Sequence, residues 1–239
     1  MSLRVLYEAP QHIVAIKPAG MPSELTSDPG GVSLIQRLRR AYPPPLEPKL
    51  PHRLDRVTRG VMLVALTKDA IAFYNQEIRL GRWGQFYLAR VSWPQNRDVC
   101  TLLGPHKAYL KTVRHRAKIV RSGGKPSFLE VLAVHPAPGR AGQQHVLVKL
   151  LTGRFHQLRA MLADLGSPLV GDKFYGDEKP RQRKIKDWSD FYLEHIILKY
   201  VDLEQGTRRM AHLSNDPDRE ELAPAMADEV KKLLGKDSD

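Results

Sequence analysis

Hydrophobic and polar positions fall into two patterns along this chain, one predicting strands and the other helices. Residues 61–66, VMLVAL, form an uninterrupted apolar run that suits a buried strand. Residues 3–7 and 12–17 read as two short strands. In the second of them the β-branched Ile13, Val14 and Ile16 favour extended backbone. Helical spacing places Leu34, Ile35 and Leu38 on one face of residues 32–41. It recurs over 68–80, with Thr67 able to cap the start and Gly81 able to end it. Residues 155–165 carry Leu158, Met161, Leu162 and Leu165 as an apolar stripe, with Gly166 as a stop and His156 and Arg159 expected on the other side. A last helix is predicted over 225–234, followed by Gly235.

Further strands are predicted over 86–91, 128–134, 146–151 and 192–201, with a Pro/Gly loop at 136–142. Pro43, Pro44, Pro45, Pro48 and Pro51 make residues 42–51 an irregular loop, because proline removes the amide that a helix or ladder needs. Strands and helices are interspersed, with no linker and no repeat, so a single domain over 1–239 is expected. Its class is α+β, a mixed, mostly antiparallel sheet with flanking helices, rather than a doubly wound parallel fold. No glycine-rich phosphate loop is present.

Composition narrows the function classes. The 239 residues are 42 % hydrophobic and 27 % charged, an ordinary balance for a folded domain. No apolar run is long enough to cross a membrane, and the start MSLRVLYEAP is not a secretory signal. One cysteine, Cys100, excludes an internal disulfide framework and any cysteine-rich metal site within the chain. It fits a reducing compartment, so a cytoplasmic location is expected. Lys and Arg number 38 against 26 Asp and Glu, a net charge of +12 that attracts polyanions. Residues 112–124 concentrate that charge in Arg114, His115, Arg116, Lys118 and Arg121, and residues 179–186 in Lys179, Arg181, Arg183, Lys184 and Lys186.

Two stretches could carry chemistry. HRLDRVTRG at 52–60 sets Asp55 between Arg53 and Arg56 just before a strand. A carboxylate at the mouth of a rigid strand is well placed to act on a substrate, and neighbouring cations favour its ionised form. A structural ion pair is the competing reading. LTGRFHQLR at 151–159 gathers Arg154, His156, Gln157 and Arg159 at a helix start, where donors meet phosphate or carboxylate, or simply face water. His52 has no neighbouring ligand in sequence, and no serine sits in a nucleophile elbow.

These motifs, with KPAG at 17–20, Tyr87 in GQFYLARV, GSPLVGDKFYG at 166–176 and Leu-Glu-His at 193–195, resemble the RNA pseudouridine synthases of the RluA type, the branch marked by HRLD. The matches run in order from Lys17 to about residue 198. Two positions depart from the family pattern: Arg59 replaces a serine, and Phe155 replaces a threonine.

The resemblance implies the pseudouridine synthase fold with a central RNA-binding cleft, and conversion of uridine in RNA to pseudouridine without cofactor or metal. It implies Asp55, Tyr87 and Arg159 as catalytic residues. Asp55 is the essential carboxylate, Tyr87 stacks on the uracil, and Arg159 pairs with Asp55. Arg53 enters the RNA and helps to flip the target base. Lys17, His52, Arg56, Arg154, His156, Gln157, Arg114, Arg116, Lys118, Arg183 and Lys184 are expected on the RNA side of the site. The expected partner is tRNA or rRNA, with no DNA and no membrane, and the protein is expected to be a monomer. The family's small N-terminal RNA-binding domain is not expected, because the first motif begins near residue 13. An inactive RNA binder and a metal-dependent nuclease using Asp55 and His156 are the rival readings.

Overall fold

The computed structural model describes residues 3–25, 31–94, 98–176 and 190–235. In chain order the elements are β1 (Arg4–Glu8), β2 (His12–Lys17), α1 (Leu34–Ala41), β3 (Arg59–Ala65), α2 (Lys68–Arg79), β4 (Gly84–Ser92), β5 (Gly104–Val113), β6 (Arg116–Ile119), β7 (Lys125–Pro136), β8 (Gln143–Leu150), α3 (Gln157–Asp164), β9 (Leu193–Val201), β10 (Arg208–His212) and α4 (Pro224–Gly235). The chain forms two compact units: Met1–Gln85 with Glu194–Leu213, and Phe86–Leu193 with Ser214–Asp239.

The first unit is built on β3. Its apolar run is buried along nearly its whole length. Each Val or Leu so covered contributes about 1.5–3 kcal/mol relative to exposure. β2 pairs with it antiparallel from His12–Ala65 to Lys17–Gly60, and β1 adds antiparallel to β2. The other edge of β3 meets β9 in parallel at Arg59–Glu194 and Gly60–His195, and β10 pairs antiparallel with β9. α1 starts at a capping box. Ser33 Oγ accepts from the Gln36 amide, and the Gln36 side chain accepts from the Ser33 amide. Thr67 caps α2 by accepting from the Ala70 amide, as its place in the sequence suggests.

In the second unit β4, β8, β7, β5 and β6 lie in that order, and β7 pairs antiparallel with both β8 and β5. The basic stretch 112–124 is mostly a hairpin. β5 and β6 pair antiparallel, and the turn residues Arg114 and His115 are both left-handed, with φ 46° and 60°. Two-residue hairpin turns of this hand match the twist of the strands. α3 lies against β6, and α4 against β7 and β8. The pairs β1–β2, β2–β3, β9–β10, β5–β6, β5–β7 and β7–β8 are antiparallel and β3–β9 is parallel, in agreement with the mixed, mostly antiparallel α+β class.

α3 begins two residues later than its apolar spacing suggests. His156 takes a left-handed conformation, φ 50° and ψ 28°, and the helix can start only after it. The residues outside the apolar stripe are not left to solvent: Gln157 and Arg159 are buried.

Candidate active site

The HRLD segment is fixed through its backbone. Ser23 Oγ donates to Leu54 O at 2.7 Å and accepts from Leu54 N at 3.1 Å, so one hydroxyl satisfies both main-chain groups. Thr58 N donates to Asp55 O at 3.0 Å, and Gly20 N donates to Arg56 O at 2.7 Å. Leu54 and Val57 point inward and are buried, while Asp55 between them is half-buried. The alternation leaves Asp55 less buried than Leu54 and Val57, on a segment whose backbone is held. Arg53 and Arg56 flank it, exposed. Arg53 reaches Glu24 at 2.9 Å, and Arg56 Nε donates to Gly20 O at 3.0 Å.

Two residues expected on the RNA side lie beneath this segment instead. Lys17 has no exposed surface; its ammonium donates to Met21 O at 2.7 Å, Pro18 O at 2.9 Å and Arg56 O at 3.4 Å. Burial pulls its pKa down to about 7, with the Asp55 charge opposing and Arg56 adding to the fall. Lys17 is therefore an internal strut within electrostatic reach of Asp55. His52 accepts the Leu63 amide at Nε2 and packs edge-on to Trp83 and His195. Burial, then the neighbouring His195, holds its pKa well below the usual histidine value. A neutral, enclosed imidazole of this kind supports the strand rather than touching RNA.

Arg59, one of the departures from the family pattern, has a partner of its own. It forms an ion pair with Glu194, which is fully buried directly across the β3–β9 ladder. A buried carboxylate needs a cation, and Arg59 supplies it.

The second unit centres on Arg159. Asp172 grips it as a fork, Nε to Oδ2 at 2.7 Å and Nη2 to Oδ1 at 2.9 Å. Nη1 lies 3.0 Å from His156 Nε2. The guanidinium also lies 5.2–5.7 Å from the ring centres of Tyr175, Phe174 and Phe191. Two flat sides and one forked edge leave the group little freedom to turn. Asp172 and Tyr175 were quoted in the sequence as part of a motif but given no role. The signal was their place in GDKFYG, since a buried arginine demands a carboxylate somewhere. Gln157 is spent internally: its side chain accepts from Thr152 Oγ1 and Arg154 N and donates to Phe128 O. It shapes the turn rather than facing RNA.

Tyr87 lies on β4 and is almost fully buried. Arg154, Arg114, Arg116 and Lys118 are exposed, the last three on the β5–β6 hairpin. Arg183 and Lys184 lie outside the described residues.

Among the described residues His12, Asp202 and Glu204 bring ligand atoms within 4.8 Å of one another. Arg209 Nε already sits 2.8 Å from Asp202 Oδ2, and His12 Nδ1 lies 2.9 Å from Glu204 Oε2. Arg209 supplies positive charge to Asp202, whereas burial lowers the pKa of His12, so its contact with Glu204 adds no charge at neutral pH.

Comparison with known proteins matches residues 11–164 to the family model described as RNA pseudouridylate synthase. The Dual-specificity RNA pseudouridine synthase RluA of Escherichia coli strain K12 is 33 % identical over 184 residues, 75 % of this chain and 80 % of that protein. The protein of the same name from Vibrio vulnificus is 33 % identical over 233 residues, 93 % of this chain and 88 % of its own length. The solved structure of Human RNA Pseudouridylate Synthase Domain Containing 1 shares the fold, with a TM-score of 0.67 at 24 % identity over 98 % of this chain and 95 % of that one. Human RNA Pseudouridylate Synthase Domain Containing 4 does so at 0.66 and 18 %, over 97 % and 93 %. On these matches the chain belongs to the RNA pseudouridine synthase family, the isomerases that turn uridine in RNA into pseudouridine.

Proposed function

We propose that this protein isomerises specific uridines in structured RNA, either tRNA or rRNA, with Asp55 as the essential carboxylate. The observation that supports this most is the contrast within one short segment. Asp55 is only partly buried, flanked by exposed Arg53 and Arg56, while the backbone around it is held by Ser23, Thr58 and Gly20.

The chemistry breaks the N1–C1′ bond, turns the uracil in place and joins C5 to C1′. The proton on C5 is lost and N1 regains one, so the product is an isomer and no cofactor is consumed. Asp55 opens the reaction by attacking C1′ or by drawing the proton from C2′; both routes need it ionised. Tyr87 stacks on the uracil, and Arg159 supplies a fixed positive charge. A stacked uridine is out of reach, and displacing it costs a few kcal/mol, about 2–4. Arg53 assists that step, and Arg114, Arg116 and Lys118 hold phosphates. The protein acts as a monomer in the cytoplasm.

The test is a pseudouridine map of total RNA from cells lacking the gene, repeated after adding back wild-type protein or Asp55→Ala. Loss of a mark that only wild type restores is the expected result. An unchanged map in well-covered tRNA and rRNA overturns the proposal. Purified protein should work in excess chelator and leave the RNA at full length, whereas a nuclease would do neither.

A further inference from the structure

Phe155 and Phe174 are large apolar rings left 46 % and 41 % exposed, and both belong to the side-chain cluster around His156. A single exposed phenylalanine carries no message on its own. Neighbouring groups hold both of these in place, the Arg159 guanidinium among them at 5.5 Å from the Phe174 ring centre. Phe155 lies flat on the His156 ring, with centroids 3.8 Å apart and planes 18° from parallel. His156 is itself fixed, Nδ1 at 3.0 Å from the Tyr175 hydroxyl and Nε2 at 3.0 Å from Arg159 Nη1. Phe174 stands edge-on to His156 at 6.2 Å, and the exposed Arg116 guanidinium lies 5.1 Å from its ring centre. The Tyr175 hydroxyl also accepts the Ala117 amide at 2.8 Å, which ties β6, and Arg116 with it, to the same cluster.

Immobilised rings beside a surface cation are what an unpaired nucleobase and its phosphate require. Every base has a π-face to stack, and the face is available only where the base is not within a stem. We propose that Phe155 and Phe174 form a stacking platform for an unpaired base of the substrate RNA, distinct from the isomerised uridine, with Arg116 on the adjoining phosphate. The proposal rests on the reading that the substrate is RNA. It also gives Phe155 a purpose. The threonine of the family pattern at this position has no face to stack, so the platform is a specificity element of this chain. Arg116 and the exposed Arg154, two residues before His156, set the charge of this surface and favour RNA over an apolar protein partner.

The probe is a series of RNA hairpins whose loop holds one uridine, with 2-aminopurine placed at each other loop position in turn. At one position wild type should quench the fluorescence and bind about tenfold more tightly than Phe155→Ala, the usual effect of removing one base-stacking ring. Phe155→Thr should match Phe155→Ala, Phe155→Trp should restore binding, and Phe174→Ala should weaken it at the same position. In turnover of the unlabelled hairpin the loss should fall on KM far more than on kcat. Quenching and affinity that are the same for wild type and the Phe155 variants at every position, with unchanged melting temperatures, overturn the platform; so does a lack of quenching by wild type at all positions. Turnover by wild type reports separately on the isomerase reading. Active protein with no residue-155 dependence removes the platform alone. Residue-dependent quenching without any pseudouridine formed removes the isomerase reading alone.

Discussion

The two charges proposed for catalysis are mounted in opposite ways. Asp55 is held by main-chain hydrogen bonds and is only partly buried. Arg159 is buried and held by side chains: the Asp172 fork, His156 and three aromatic rings. A short carboxylate has little freedom of its own, so fixing its backbone fixes the group. A long guanidinium retains several torsions whatever its backbone does, so only contacts at its tip can orient it. The first mount is vulnerable where backbone is disturbed, and the second where a side chain is shortened.

The largest expected effect breaks the second mount. Asp172→Ala leaves a buried guanidinium without its carboxylate and should cost about 3–5 kcal/mol, seen as a lower urea midpoint. Asp172→Asn should cost less. Acid should attack the first unit. Burial lowers the pKa of His195 to about 4, and His52 moves in the same direction. The unfolded chain therefore takes up these protons first. Stability should fall as pH drops below about 6.5, with about 3 kcal/mol lost from His195 by about pH 4 and a further loss from His52. Faster amide exchange at Leu63, whose N–H needs a neutral His52, should report it; a stability flat from pH 6.5 to 4.5 would contradict it.

Smaller effects sharpen the contrast. A Cβ on Gly60 would lie 2.5 Å from His195 O and 2.6 Å from His195 N, and the residue sits at φ +139°. Gly60→Ala must push β3 from β9 at a cost of about 1–3 kcal/mol, measurable by denaturation. Ser23→Ala removes the hydroxyl that serves both Leu54 groups. It should cost about 1–2 kcal/mol and lower turnover more than RNA affinity, because Asp55 loses its mount rather than its ligand. Arg53→Ala, at an exposed ion pair, should change stability by less than about 0.5 kcal/mol while weakening turnover of a stem-bound uridine. A stability loss as large as that of Asp172→Ala would place Arg53 in the fold rather than on the RNA.

What the sequence revealed follows from the kind of burial. β2, β3 and α2 were legible almost to their ends, since an apolar run buried on both faces and a threonine cap are local signals. β5 and β6 were not. Apart from buried Leu110 and Ala117 their residues are half-covered or exposed, and Lys107, Lys111, Arg116 and Lys118 make the stretch read as basic without a strand signal. β10, RRMAH, was hidden for the same reason. At the candidate site the motifs located the right segments, but charge misled about depth. Lys17 and Gln157 are polar and are expected on the RNA side, yet each finds buried partners that no residue count could reveal, and the Asp172 partner of Arg159 is equally invisible to residue type. The left-handed turn at His156 has no signature in residue type, and it is what sets Phe155 flat on the imidazole.

The parallel contact between β3 and β9 also sets an order of events during synthesis. Glu194 and His195 reach Arg59 and Val61 across separations of 135 and 134 residues. A chain emerging from the ribosome carries the apolar β3 run with one edge uncovered until β9 follows, by which time all of β4 to α3 has been made. Through that interval the nascent first unit is a sheet open to unwanted strand partners. Holding factors that bind extended apolar segments should therefore engage this chain before residue 194 emerges and release it afterwards.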